Sequence, residues 1–303
     1  MIEQTMADGC DRTREDVSNI VHLEHVNVTQ PDQRLATLFY VSALGLTRDP
    51  YLMVGLDNMW INIGRSQMHL PSRDPQPQRI RGTIGLVVPD LGALKMRLEK
   101  VAPSLEGTQF GFADRGTFFA ITCPWGNRFR CHAPASEFGA TELAMAYVEF
   151  DVPAGSTQRI ARFYSEILTA TAEVVTRDGA PSASVCAGIG QRLIFRETSD
   201  PLPRYDGHHI QIYIADFSGP HRRLRELGLI TKEADEHEWR FMDIVDLDTR
   251  EVLFTVEHEV RSATHPMYLR PLVNRDPAQT NRNYAQGHDQ SAWAMEPDEY
   301  DRR

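Results

Sequence analysis

Two stretches decide the fold: Thr83-Ile84-Gly85-Leu86-Val87-Val88-Pro89-Asp90 and His209-Ile210-Gln211-Ile212-Tyr213-Ile214-Ala215-Asp216. They align without a gap, and eight residues beyond each aspartate Leu98 stands on Leu224. Each reads as an apolar strand that runs into a helix. Asp90 suits the N-cap of a helix with Leu91, Leu94, Leu98 and Val101 on one face. Strand patterns follow both helices. FFAITC and RFRCH flank the turn Pro124-Trp125-Gly126-Asn127, and WRFMDIVD and EVLFTVEHEV come after the helix that ends at Gly228.

The same order holds in the remainder of the chain. Residues 21–29 (VHLEHVNVT) alternate as a half-buried strand does, and Pro31 opens a helix with Leu35, Leu38, Phe39 and Leu46, stopped near Gly45. Strand-like pieces lie at Trp60–Ile63 and Met68–Leu70. MAYVEFDV begins another round, with Ser156 as helix cap and Ile160, Phe163, Tyr164 and Ile167 at helical spacing. Strands are expected around Ser184–Ala187 and Arg192–Phe195. Phe39-Tyr40 and Phe163-Tyr164 occupy matching helices. Strand, helix and three strands thus recur four times. A unit of this size cannot bury a sheet face alone, so the units must pair. The expected class is α+β: four βαβββ units forming two domains of curled mixed sheets with outer helices.

Boundaries follow from the pattern: a polar leader over 1–19, one domain over 20–134, a second over 143–260 after a short linker, and a tail over 261–303. His265–Leu272 contains two prolines and predicts an extended segment lying on the body. Beyond Arg275 the chain is polar and without period. It is expected to be loose or ordered by a partner, with Trp293 and Met295 as anchors for a homodimer contact.

The net charge of -10 argues against a nucleic-acid partner, which needs a surplus of Lys and Arg. No apolar run approaches the ~18 residues of a membrane span, and the first residues lack the apolar core of a secretory signal. A cytoplasmic setting is the expectation. Cys10, Cys123, Cys131 and Cys186 form no CxxC pair and read as free thiols. GxSxG, GxGxxG and P-loop signatures are absent, which disfavours acyl, hydride and phosphoryl transfer on those scaffolds.

Leu23-Glu24-His25-Val26-Asn27-Val28, Phe39-Tyr40 and Leu44-Gly45-Leu46 carry a family resemblance. So do Gly207-His208-His209-Ile210 with Ala215-Asp216 and the turn Cys123–Asn127. Over about residues 20–260 the chain resembles the vicinal oxygen chelate superfamily of glyoxalase I, extradiol dioxygenases and bleomycin-binding proteins. The resemblance implies two tandem glyoxalase-like domains. It also implies a metal-dependent enzyme, dioxygenase-like or lyase-like, acting on a small substrate that chelates through vicinal oxygens. A metal-free protein that sequesters a small molecule is the alternative.

The family's ligand positions fall on His25, His69, Thr83 and Arg130 in the first half and on Tyr147, Phe195, His209 and Phe254 in the second. The family's carboxylate is missing from the last strand of each half, where Arg130 and Phe254 stand. Units can pair within a half or across halves. Pairing the first unit with the fourth would gather His25, His69 and His209 in one cup and leave a degenerate second cup. Three imidazoles suit Fe, Zn, Ni or Cu. Without a ligating carboxylate the ion would keep its full charge and favour an anionic chelator. Glu257 is the reserve fourth ligand, and Asn27, Gln211 and Tyr213 are substrate-binding candidates. Taken singly, each strand histidine is more often a hydrogen-bonded core residue.

Overall fold

Each of the four helices follows the first strand of its unit. The computed structural model describes residues 16–52 and 57–275. In the first unit β1 (Ile20–Asn27) leads to α1 (Gln33–Ala36), β2 (Thr47–Arg48), β3 (Asn58–Ile63) and β4 (Ser66–Pro71). The second has β5 (Gly82–Val87), α2 (Leu91–Val101), β6 (Gly111–Asp114), β7 (Phe118–Thr122) and β8 (Arg128–His132). The third has β9 (Ala144–Pro153), α3 (Thr157–Ile167), β10 (Ala172–Arg177), β11 (Ala180–Cys186) and β12 (Arg192–Thr198). The fourth has β13 (His209–Ile214), α4 (Ser218–Glu226), β14 (Ile230–Asp235), β15 (Glu238–Val245) and β16 (Val252–Ser262).

The caps differ in chemistry. Asp32 accepts from the Arg34 and Leu35 amides, and Asp90 accepts from Ala93 N, as its position predicts. Ser156 sits at its cap position but its hydroxyl donates to Pro153 O instead. Glu197 from β12 accepts from the Thr157 amide and hydroxyl in its place. After one turn α1 widens into a π-helical stretch, Thr37–Ala43, in which Leu44 N donates to Phe39 O. Phe39 and Tyr40 are both fully buried there.

The strands form two open mixed sheets of eight. The first runs β14-β15-β16-β13-β1-β4-β3-β2 and the second β10-β11-β12-β9-β5-β8-β7-β6. Each sheet therefore takes one unit from either half of the sequence, the first with the fourth and the third with the second. Antiparallel pairs β1–β13 and β5–β9 join the units at the centre of each sheet. The helices and one continuous apolar core, including Phe39, Phe129, Phe150, Phe195 and Phe254, cover the faces turned from the cups. Cys123, Cys131 and Cys186 are free.

The tail departs from the extended form expected for it. Residues 263–269 make successive turns, and only then does the chain run along the first sheet. Arg270 Nη2 donates to the buried Asp49 Oδ2 at 2.7 Å, and Asn62 Nδ2 donates to Val273 O at 2.7 Å. Asn274 exchanges two hydrogen bonds with the Gly64 backbone. These contacts clamp the β3–β4 hairpin. Residues 276–303 and most of the leader, with the expectations placed on them, lie outside the described residues.

His258, on the core side of β16, illustrates how burial sets charge. Its Nδ1–H donates to Val256 O at 2.8 Å, so Nε2 accepts from the Tyr164 hydroxyl at 2.6 Å. Burial pushes its pKa down to about 3. A folded value below the unfolded one means that the neutral ring stabilises the fold above the unfolded pKa of about 6.5. That stability is lost as pH falls from there toward the folded value. The His258 ring resonances should therefore stay constant by NMR from about pH 8 down to about pH 4. A midpoint near about 6.5 would contradict this packing.

Candidate metal centre

The sheet register builds the site. His25 stands beside Gln211 and Gln67 on its two neighbouring strands, and Asn27 stands beside His209 and His69. Residues paired across strands share a face, so these six side chains look into one cup. One ring nitrogen from each of His25, His69 and His209 lies within 4.8 Å of the other two. Among the described residues no other histidine, cysteine or carboxylate joins a group of this kind.

Strict alternation would turn Glu24 away from this cup. A bulge between Leu23 and His25 breaks the β1–β13 register, and an extra residue in one strand re-aims its side chains. Glu24 reaches the adjacent imidazole, with Oε2 2.5 Å from His25 Nδ1. The Nδ1–H of His25 donates to it, which leaves the Nε2 lone pair free; that atom is buried and has no hydrogen-bond partner. Burial pushes the Glu24 carboxyl up, but the facing His25 and its hydrogen bond outweigh it, and the net shift is downward.

His209 faces two carboxylates, with Nδ1 3.6 Å from Glu257 and Nε2 3.5 Å from Glu259. Its buried Nε2 also lacks a hydrogen bond. Its neighbour His208 points to the opposite face, hydrogen-bonded to Asp206 at 2.6 Å. His69 stacks on Trp60 at 3.8 Å and uses both ring nitrogens, 2.6 Å from Asn27 Nδ2 and 2.7 Å from Asn58 Oδ1. Burial, then the neighbouring His25 and His209, push its pKa down to about 2, so it is a neutral donor of a lone pair. Binding an ion would exchange one of its two hydrogen bonds.

The donor set fits a first-row divalent ion. Neutral imidazoles with orphaned, buried nitrogens are what such an ion requires, and an outer carboxylate on His25 is the usual orienting partner. The surrounding charge is also consistent. Asp49, Glu238, Glu257 and Glu259 face Arg240, Arg261 and Arg270 through the ion pairs of this cup, and Glu24 pairs with His25. Five carboxylates against three guanidiniums leave two negative charges, which one divalent ion would neutralise. These carboxylates stand outside the imidazole group, so they would offset the charge of an ion without ligating it.

The substrate-binding candidates are all buried here. Gln211 has both amide atoms, and Tyr213 its hydroxyl, without a partner; Arg261 Nη1 is orphaned as well. Burial pushes the Tyr213 hydroxyl up to about 12. Such unsatisfied groups are rare in a packed interior and mark a place that water or a ligand completes.

Two family positions read from sequence need correction. Phe254 lies in the core, its ring 5.5 Å from Phe150 and 6.1 Å from Phe195. The cup residue two past the His209 level is Glu259, which pairs with Gln211 as Arg130 pairs with Gly85. Phe195 also faces the core, and Ile194 is the cup residue beside Glu149. Both slips come from unequal hairpin lengths, and at Phe254 the register shifts in β15–β16 add to it. The gapless match of Gly85 with Gln211 was the available signal for Glu259, but it needs the strand pairing to be useful.

The second cup has different chemistry. Tyr147 holds the place of His25, and its ring lies over Gly85, where a Cβ would stand 2.2 Å from it. Its hydroxyl is 2.9 Å from His132 Nε2. Beside it the buried Glu149 pairs with Arg177 at 2.9 Å and Arg196 at 3.3 Å, with Arg130 at 4.0 Å. Arg130 is thus a paired side chain, with Asp178 2.7 Å away.

No protein-family model and no curated protein matches the sequence. Solved structures do. Glyoxalase I from Zea mays is similar over 80% of this chain and 92% of its own, at 13% identity and a TM-score of 0.56. A point variant of that Zea mays enzyme matches at 12% identity and a TM-score of 0.57, covering 80% and 94% of the two chains. A protein of Bacillus subtilis subsp. subtilis str. 168, provisionally named a dioxygenase, covers 82% and 87% at 13% identity and a TM-score of 0.54. No helix among the described residues is long and apolar enough to cross a membrane. With four βαβββ units in two open sheets, the chain has the fold of these solved structures, glyoxalase I from Zea mays among them.

Proposed function

We propose that the chain is a metal-dependent enzyme that holds one divalent ion, of Fe, Zn, Ni or Cu, on His25, His69 and His209. Its substrate is a small molecule with vicinal oxygens, and its reaction is dioxygenase-like or lyase-like. The observation that carries this reading is the convergence of three imidazoles within 4.8 Å, two of them with buried nitrogens that have no partner. The ion supplies Lewis acidity and, if it is iron, a means of activating dioxygen.

The chain's own residues would do the rest. Glu24 fixes the His25 tautomer. Gln211, Tyr213 and Arg261 offer free donors and acceptors to the polar end of a substrate. Glu257, with a side chain 23% exposed, is placed to take a proton from a substrate hydroxyl onto its carboxylate. The balanced charge of the cup favours a neutral chelator that sheds this proton over one that arrives as a dianion.

Elemental analysis of protein purified without chelator tests the reading. About one transition-metal ion per chain is expected, in line with a single three-imidazole site. Protein that arrives without metal and takes up none of Fe(II), Zn(II), Ni(II) or Cu(II) in calorimetry would refute it.

A further inference from the structure

The β3–β4 turn, the β11–β12 turn and the linker between the second and third units meet around a cavity of about 400 Å³. That volume lies within the range of small-molecule sites. None of His25, His69 and His209 lines it. Its walls are brought together by close backbone contact. A Cβ on Gly64 would stand 2.1 Å from Leu143 O, and one on Gly190 would stand 2.6 Å from Phe138 O. At its base the Gln191 amide bonds Leu23 N and O, Ser66 Oγ and Met145 O. The cavity is therefore preformed and held by groups that are already satisfied.

Three features indicate what it takes. The first is charge. The chain has 42 acidic residues against 32 basic ones, yet no Asp or Glu lines this cavity. Arg65 does, and it has no ion-pair partner among the described residues. The second is apolar surface left in water. Ile189 is 82% exposed and Leu269 53% exposed, and both stand at this cavity beside Phe138 and Leu143. The third is backbone strain. Leu269 has φ +50°, the left-handed region that side-chain-bearing residues seldom occupy, and its side chain is placed on the cavity wall at that cost.

We propose that this cavity is a second ligand site, which binds a small amphipathic carboxylate. The apolar body would lie against Phe138, Leu143, Ile189 and Leu269, and the carboxylate would meet the planar fork of Arg65. A single guanidinium matches a carboxylate in two parallel hydrogen bonds. The site stands apart from the imidazole cup, although Tyr268 lines it and packs on Tyr213 of that cup with ring centroids 4.8 Å apart.

Calorimetric titration of the full, metal-loaded chain with octanoate tests this, with octanol as the uncharged comparison. Saturable binding of octanoate is expected. Arg65→Gln should weaken it by roughly tenfold, the scale of a lost charge-assisted pair at a half-open site, and leave octanol binding unchanged. Ala140→Trp, on the exposed linker, should fill the cavity and abolish binding of both while the metal content stays the same. The proposal is overturned if wild type shows no saturable octanoate binding, or if Arg65→Gln binds octanoate as wild type does. It is also overturned if His209→Ala removes octanoate binding, which would place the ligand in the imidazole cup.

Discussion

His209→Ala is expected to strip the protein of its transition metal while leaving its fold intact. The imidazole is one of only three groups whose donor atoms converge, and no cysteine or carboxylate in the described residues joins that group to replace it. Two ligands hold an ion far less well than three, because each remaining bond must offset the same loss of hydration. Losing an outer partner alone usually costs 10–100-fold in affinity, on an order-of-magnitude scale, and losing a ligand should cost more. Glu24→Gln is the graded comparison. It keeps a hydrogen bond to His25 Nδ1 but removes the negative charge 2.5 Å away, so metal affinity should fall by roughly 10–100-fold. His132→Ala, in the other cup, should change nothing. Calorimetry on chelator-stripped protein reads all three. Wild-type affinity in His209→Ala, or loss of metal in His132→Ala, would move the ion out of the first cup.

The largest effect on stability is expected from the second cup. Glu149 is 1% exposed and pairs with Arg177 and Arg196 while Arg130 stands close by. Glu149→Ala removes the one buried anion and leaves three guanidiniums facing each other. Breaking a buried pair from one side costs about 3–5 kcal/mol. The arginine side chains are 21–31% exposed, and Arg130 and Arg196 keep Asp178 and Asp151 as partners, so the lower end, about 3 kcal/mol, is the expectation. In a chain of this size that lowers Tm by roughly 5–10 °C. Thermal unfolding followed by circular dichroism measures it, and a shift below about 1 °C would mean that the network holds nothing together. Metal content should survive the substitution, since Glu149 occupies in the second cup the place that Asn27 holds in the first.

Much of this was readable in the chain. Alternation and helical spacing repeat four times, so the βαβββ unit, the α+β class and the outer helices follow from local chemistry alone. The three histidines were legible for the same reason: each sits on a strand at a repeated position, and adjacent His208 and His209 must face opposite sides. Their gathering in one cup could be anticipated, because only pairing of the first unit with the fourth brings them together, and the sheet order has that pairing.

What the sequence could not supply was register. A shift of one residue turns every side chain of a strand over, and hairpin lengths differ among the four units. Family spacing therefore puts Phe254 and Phe195 in the cups, whereas strand pairing packs them in the core and brings Glu259 to the cup. The bulge that brings Glu24 to His25 looks like ordinary alternation in the letters LEHVN. The charge balance of the cup, the clamp of Arg270 on Asp49 and the cavity beside Arg65 all join residues far apart in the chain. Periodicity determines which face of a strand is apolar within a few residues. Only packing of distant strands decides which polar residues share a face, because that depends on pairing and loop length together.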